Sequence, residues 1–337
     1  MTNGYDSVLV QSFGGPEGPD DVMDFLRNVT RGRNVPDERL AVVAEQYEIF
    51  GGVSPLNEFV RNFASELELA LLNAGLQLPV FIGHRNWAPY ISDTAKEMAD
   101  LGHTKALVFT TSAFSSFSGC RQYRQDLAAA TEAAAGRIEF RKLRLYFNHP
   151  KFVEGWVSNI NAKLVDMKPA PYTLSTAHSI PESMAEVSEY VPQLNEIERL
   201  LSEETDIGDY ELVFQSRSGP PHIPWLEPDV CDRIASLVET GKCKPGDEVL
   251  ICPLGFTSDH MEVLYDLDTQ AKQAAEKAGL GYKRVEAVGH NPKFIELAVE
   301  LVKEVVEDLP RSAVGALPAW PDDCGGETHC IPQSMLR

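Results

Sequence analysis

Short runs dominated by apolar and β-branched residues recur along the chain, and between them lie longer stretches with apolar positions three and four residues apart. The short runs predict strands buried on both faces, and the amphipathic stretches predict helices covering a parallel sheet. In the first half the predicted strands are Ser7–Phe13, Pro79–Gly83, Ala106–Thr111 and Ile138–Leu143. In the second half they are Tyr172–Thr176, Glu211–Gln215, Glu248–Cys252 and Tyr282–Glu286, with helices near Ile197–Ser202, Asp229–Glu239, His260–Lys277 and Phe294–Glu307. One first-half helix shows Val60, Phe63, Ala64, Leu67 and Leu71 on a single face, behind Asn57 as a candidate N-cap. Four strands in each half predict an α/β protein of two doubly wound lobes joined near Asn148–Val153. From Ser312 onward, "LPAWPDDCGGETHC" predicts an irregular tail.

Composition narrows the function classes. With 43% hydrophobic residues in 337, the chain is long enough for two cores. Lys+Arg total 30 against 50 Asp+Glu, a formal charge of -20, which argues against sequence-independent binding to nucleic acid or to an anionic membrane. The start "MTNGYDSVLVQSF" has neither the basic nor the apolar region of a signal peptide, and no apolar run approaches a spanning helix. A cytoplasmic protein without an integral membrane segment is expected. The six cysteines, at 120, 231, 243, 252, 324 and 330, do not form a secreted disulfide framework and are expected to be reduced thiols or metal ligands. Cys231, Cys243 and Cys252 read as small core residues.

Ligands of open parallel sheets bind beyond the carboxyl ends of the strands, so the candidate chemistry is sought there. The first strand ends in "SFGGPEGPDD", which matches neither the dinucleotide fingerprint nor the P-loop. No G-x-S-x-G elbow and no H-E-x-x-H occurs. Polar residues that remain at strand ends and in loops include Ser54, Tyr123, His178, the stretch "SRSGPPHIPWLEP" and Glu262. A strand-end histidine alone is most often a satisfied structural residue, and an acid in a first helical turn is favoured by the helix dipole. Taken together, a neutral imidazole and a carboxylate offer a proton acceptor near neutral pH and two ligands for a borderline divalent cation.

The motifs "GGVSPL", "LSTAHSIP", "SRSGPPHIPWLEP" and "FTSDHMEVLYDLD", in this order, resemble those of the ferrochelatases, and the resemblance extends from "VLVQSFGGPE" through "GHNPKFIELAVELV". The versions "GHRNWAPYISD" and "SSFSGCRQY" are most similar to the actinobacterial branch, whose members insert iron into coproporphyrin III; other branches use protoporphyrin IX. The resemblance implies two Rossmann-like, chelatase-type lobes, each a four-stranded parallel sheet with helices on both faces, and a cleft between them. The expected division is 1–150 and 151–290 for the lobes, 291–310 for a C-terminal helix packing back on the first lobe, and 311–337 for an irregular cysteine-containing tail.

The resemblance further implies that Fe2+ enters as substrate, with His178 and Glu262 as catalytic residues and iron ligands; which takes the proton and which delivers the metal stays open. Small Ala177 and Ser179 beside His178 would leave room for a planar ligand. By the same resemblance Ser54, Tyr123, Gln46, Tyr47 and Phe13 would line the porphyrin site, and Arg31 would face a propionate. Phe13 stands where some relatives have an iron-ligating tyrosine, and Thr30 where they have an arginine. After Glu262 an acidic ladder continues to Asp266 but meets Gln270 at the next step. Several relatives hold a [2Fe–2S] cluster on one internal and three C-terminal cysteines. Here Cys120, Cys324 and Cys330 match, one thiolate short, with Asp322, Asp323 or His329 as replacements. The implied partners are the porphyrin, Fe2+ and a downstream haem-pathway enzyme, with no nucleic acid. A non-catalytic porphyrin or haem carrier is the competing reading, against which Glu262 argues because a carrier needs no acid beside the histidine.

Overall fold

The computed structural model describes residues 2–33, 35–219, 222–322 and 330–332. The chain forms two compact units. The first comprises Met1–Thr111, Gln122–Leu143 and Ala298–Pro310; the second comprises Ser112–Arg121, Arg144–Leu297 and Arg311–Arg337.

In the first unit β1 (Ser7–Ser12), β2 (Val80–His84), β3 (Lys105–Thr110) and β4 (Glu139–Lys142) form a parallel sheet in the order β2-β1-β3-β4. Register pairs Leu9 with Val108 and Val10 with Phe109. Successive residues point to opposite faces, so both faces need a cover. Leu9 and Val108 pack with Ala95 and Met98 of α4 (Ile91–Asp100) and with Leu127 and Ala130 of α5 (Gln122–Ala133). On the other face Phe109 meets Phe63 of α3 (Leu56–Asn73), their ring centroids 5.0 Å apart. Two further helices, α1 (Val22–Val29) and α2 (Asp37–Glu48), enclose a smaller cluster around Phe25 and Leu40.

The second unit repeats the plan with β5 (Tyr172–His178), β6 (Tyr210–Gln215), β7 (Glu248–Cys252) and β8 (Gly281–Arg284) in the order β6-β5-β7-β8, again all parallel. Leu174, Val249 and Ile251 pack against Ile234 and Leu237 of α9 (Val230–Glu239) and against Val263, Leu267 and Ala271. Glu198 of α8 (Tyr190–Glu204) bonds Ser175 from the opposite face. The tail is irregular where described: Arg144 Nη2 donates to Ser312 O at 2.6 Å and Asn148 Nδ2 to Leu317 O at 2.7 Å.

Two expectations are corrected. Asn57 is not the N-cap of α3, which Pro55 precedes directly; its buried amide donates to Gly15 O at 2.8 Å and accepts from Gly15 N at 3.0 Å. The helix expected over His260–Lys277 is three pieces: α10 (Met261–Val263), a π-helical segment over Leu264–Ala271, and α11 (Lys272–Lys277). An apolar pattern of period near four tolerates the extra residue of a π turn, so the pattern gives the helix but not its change of winding.

Candidate active site

Strand order reverses direction beside β1 in the first unit and beside β5 in the second, since each runs next to the following strand on one side and the next but one on the other. Such switch points leave a crevice at the carboxyl ends of the strands, where loops diverge and backbone groups are free for a ligand. The motif-bearing residues cluster there in both units.

In the second unit His178 is the last residue of β5 and Glu262 lies in the first turn after the β7 loop. Their side chains meet, His178 Nε2 to Glu262 Oε2 at 3.8 Å. The His178 Nδ1 atom is 2.5 Å from Ser179 O. A carbonyl only accepts, so Nδ1 carries a proton and the other ring nitrogen, Nε2, is the atom that faces Glu262. Tyr190, buried under the site, donates its hydroxyl to His178 O at 3.1 Å and holds the strand end. With metal–ligand bonds of about 2.1 Å on each side, a gap of 3.8 Å is spanned by one divalent cation, and a small side-chain rotation closes it around a proton instead.

Behind this pair sits Asp266, whose carboxyl burial pushes up to about 6, the Glu262 carboxylate adding in the same direction. Ser216 donates its hydroxyl to Asp266, and Gln215 Nε2 lies 3.3 Å from both Asp266 Oδ2 and the Glu262 carbonyl. Gln215 pairs with His178 in the sheet and is 1% exposed, so a buried amide ties the end of β6 to the turn that carries Glu262. Ser216 takes a left-handed φ of 61°, a strained conformation for a residue with a Cβ. His260 stacks edge-on against Phe256 at 5.0 Å, and burial holds its imidazole below the usual range. Ala177 makes no room for a ligand: it is fully buried, and a Cβ on Gly255 would come within 2.6 Å of its own. Its small size serves the close approach of the β7 loop, while buried Ser179 donates to Leu226 O at 2.8 Å.

In the first unit the chain leaves β1 through Phe13, Gly14 and Gly15. Gly14 has φ 80°, and a Cβ there would lie 2.9 Å from that of His84, so the turn needs glycine. Burial pushes the His84 imidazole down to about 4 and keeps it neutral. Phe13, half exposed, meets Phe25 edge-on at 6.2 Å, and Tyr47 meets the same ring at 6.1 Å. Gln46 is half-buried on α2, and Ser54 is buried against Gly15 just before α3. Arg31 is exposed, with Nη2 donating to Asn28 Oδ1 at 2.5 Å. Tyr123 is buried on α5 with the Arg85 guanidinium 4.1 Å above its ring, and Arg85 Nε bonds Asp126 at 2.6 Å. Phe13 and Tyr47 thus share one aromatic cluster, whereas Tyr123 belongs to a separate ionic one. Arg85 lies within "GHRNWAPYISD" but its pairing with Tyr123 and Asp126 appears only with the docking of α5, and Gln215 has no motif to mark it, sheet register alone bringing it beside His178.

Among the described residues no group of three or more His, Cys, Asp or Glu side chains is disposed to hold a metal. Cys120 and Cys330 are buried, and Cys330 Sγ lies 3.5 Å from Ser115 Oγ, on the loop leading to the π turn that carries Cys120. Asp322 is ion-paired with Arg311 at 3.2 Å. Cys324, Asp323 and His329 lie outside the described residues.

A family model described as Ferrochelatase matches residues 5–306. The chain is 46% identical over 325 positions to a protein named Ferrochelatase from Rhodopirellula baltica, the match covering 95% of this chain and 92% of that one. It is 48% identical over 345 positions to the Coproporphyrin III ferrochelatase of Frankia alni, covering 97% and 87%. Of solved structures, SirB from Bacillus subtilis with Fe3+ is similar at a TM-score of 0.57 and 12% identity, covering 90% of this chain and 96% of that one. CbiX, described as the terminal enzyme for biosynthesis of sirohaem in denitrifying bacteria, is similar at 0.53 and 13%, covering 88% and 98%. At these identities the two structures show a shared fold.

Proposed function

The chain belongs to the ferrochelatase family, and from that premise we propose that it inserts ferrous iron into coproporphyrin III to give Fe-coproporphyrin III for haem synthesis. The observation that carries the chemistry is His178 Nε2 facing the Glu262 carboxylate at 3.8 Å, with Nδ1 held by the Ser179 carbonyl.

Metallation requires two pyrrole N–H protons to leave as the cation enters, and a planar macrocycle hides its nitrogen lone pairs. Holding the ring out of plane exposes them, at the expense of binding energy from the rest of the porphyrin. His178, proton on Nδ1, accepts a pyrrole proton or a ferrous ion at Nε2. Glu262, half exposed beside it, supplies an oxygen as the second ligand or passes the proton on to Asp266, whose carboxyl at about 6 exchanges protons near neutral pH. Gln215 and Ser216 keep that second acid in place. In the first unit, family resemblance supports Arg31 as a propionate cation and Phe13, Gln46, Tyr47, Ser54 and Tyr123 as porphyrin-site residues.

The proposal places the reaction in the cytoplasm, with product passing to a downstream haem-pathway enzyme; among the described residues no helix is long and apolar enough to cross a membrane. For a [2Fe–2S] cluster on Cys120, Cys324 and Cys330, the described part of the chain supplies two thiols and no third ligand, so no step of the reaction is assigned to it. Two irons and two acid-labile sulfides per chain in anaerobically purified protein would establish a cluster, and their absence would remove it.

An anaerobic assay with ferrous iron and, in parallel, coproporphyrin III and protoporphyrin IX tests the reaction through the visible spectrum. Turnover of coproporphyrin III is expected, falling at least ~100-fold in Glu262→Gln with porphyrin binding retained. Preference for protoporphyrin IX would overturn the substrate. Tight binding of a porphyrin without metallation by the wild type would leave a carrier.

A further inference from the structure

A polar pocket lies against the π-helical segment that follows Glu262. It has a volume of about 320 Å³ and is lined by Lys163 at the end of α6 (Pro150–Leu164), Lys272, Tyr282, Lys283 and Arg284, with Asp268 and Glu286 as its acids. Four cations face two lining acids and Asp259, which bonds Arg284 from behind, so the pocket is locally positive in a chain whose formal charge is -20.

The positive groups differ in how they are satisfied. Arg284 is committed: its Nε bonds Asp268 at 2.7 Å, its Nη2 the other Asp268 oxygen at 2.9 Å, and its Nη1 Asp259 at 2.9 Å. None of the three lysines makes an ion pair with any described residue, although lysines elsewhere, such as Lys151 and Lys293, are paired. The position of Lys163 in the last turn of α6 suits the helix dipole, but that does not account for Lys272 on α11 or Lys283 on β8. Three ammonium groups from three separate elements therefore line one pocket without a direct ion pair, and Glu286 is the one lining acid not already held by Arg284. The cavity is of a size that small ligands fill.

We infer that this pocket is a binding site for a small polyanion carrying at least two closely spaced anionic groups, a polyphosphate or a polycarboxylate. Lysine supplies point charges on flexible stems, suited to anionic oxygens of either kind, and the fixed Arg284 fork gives the pocket a rigid polar floor. The site stands apart from the proposed reaction but touches its support. Asp268 lies in the π-helical segment, Asp259 precedes Glu262 by three residues, and Tyr282 donates its hydroxyl to Leu267 O at 2.7 Å. An anion held by the three lysines would thus rest on the Arg284–Asp268–Asp259 network that anchors the turn carrying Glu262.

The test uses the metal-free full chain, so that its outcome does not depend on turnover. Calorimetric titration with pyrophosphate and, separately, citrate at fixed ionic strength is expected to show saturable binding of one or both, weakened at least tenfold in the combined variant Lys163→Gln, Lys272→Gln, Lys283→Gln. The matching Lys→Arg variant, which keeps the charges, is expected to retain binding, with far-UV circular dichroism unchanged in both. Pyrophosphate alone identifies a phosphate ligand and citrate alone a polycarboxylate. No saturable binding of either, or equal binding by the glutamine variant, overturns the site.

Discussion

Glu198 shows how a single buried acid writes a pH dependence into the second unit. It sits on α8, 6% exposed, with Ser175 as its hydrogen-bond partner, and burial pushes its carboxyl up to about 7. The native state therefore holds this proton across a range, from the ordinary 4.5 to about 7, in which the unfolded chain has released it. The stabilising contribution is complete below the unfolded value and is lost progressively as pH rises from there through about 7, on the order of 3 kcal/mol in all. Glu198→Gln keeps the shape without the ionisation. Urea midpoints of wild type and variant are expected to diverge in the variant's favour between pH 5 and pH 8; parallel pH curves would show that Glu198 is solvated. His84, held neutral down to about 4, and His149, pushed down to about 3, carry no such charge at physiological pH. His149 instead caps α6, its Nδ1 accepting from Lys151 N at 3.2 Å.

At the scale of elements, strands were legible because a parallel strand buried on both faces leaves an apolar run without alternation, as in "VLV" within β1 and "VLIC" within β7. Strand ends were less so: β8 spans Gly281–Arg284, two residues short of the expected Glu286, although Val285 N still donates to Ile251 O at 2.9 Å. His178 and Glu262 were legible through motifs, whereas Gln215 was not, since its importance lies in the register that sets it beside His178. Asn57 misled for a physical reason. Asparagine is a favoured N-cap, and nothing local in "GGVSPLNEF" reveals that its amide is used by Gly15, 42 residues away. Replacing it tests the tie between α3 and the β1 exit loop. Asn57→Ala leaves both Gly15 backbone groups buried without these partners, so a loss of about 2 kcal/mol in denaturant unfolding is expected. A loss below about 0.5 kcal/mol would mean that water replaces the amide.

For the whole molecule the charge balance dominates. A formal charge of -20 repels itself in the native state, and surface pairs such as Arg27–Asp24 do little to offset it. Raising NaCl from 20 to 200 mM shortens the screening length, and the thermal midpoint is expected to rise by about 2 °C or more. A fall would mean that local ion pairs outweigh the net repulsion. The π-helical segment has a consequence for the lineage of this chain. Removing one of its residues and restoring ordinary winding is absorbed inside the segment, because a π turn already holds one residue more than an α turn. Ala275, fully buried, would keep its face toward the core. What such a one-codon deletion changes is the placing of Asp266 against Glu262, so the helix that follows tolerates the loss and the pair of acids does not. The segment's extra residue is thus inherited for what it carries and not for the packing beyond it.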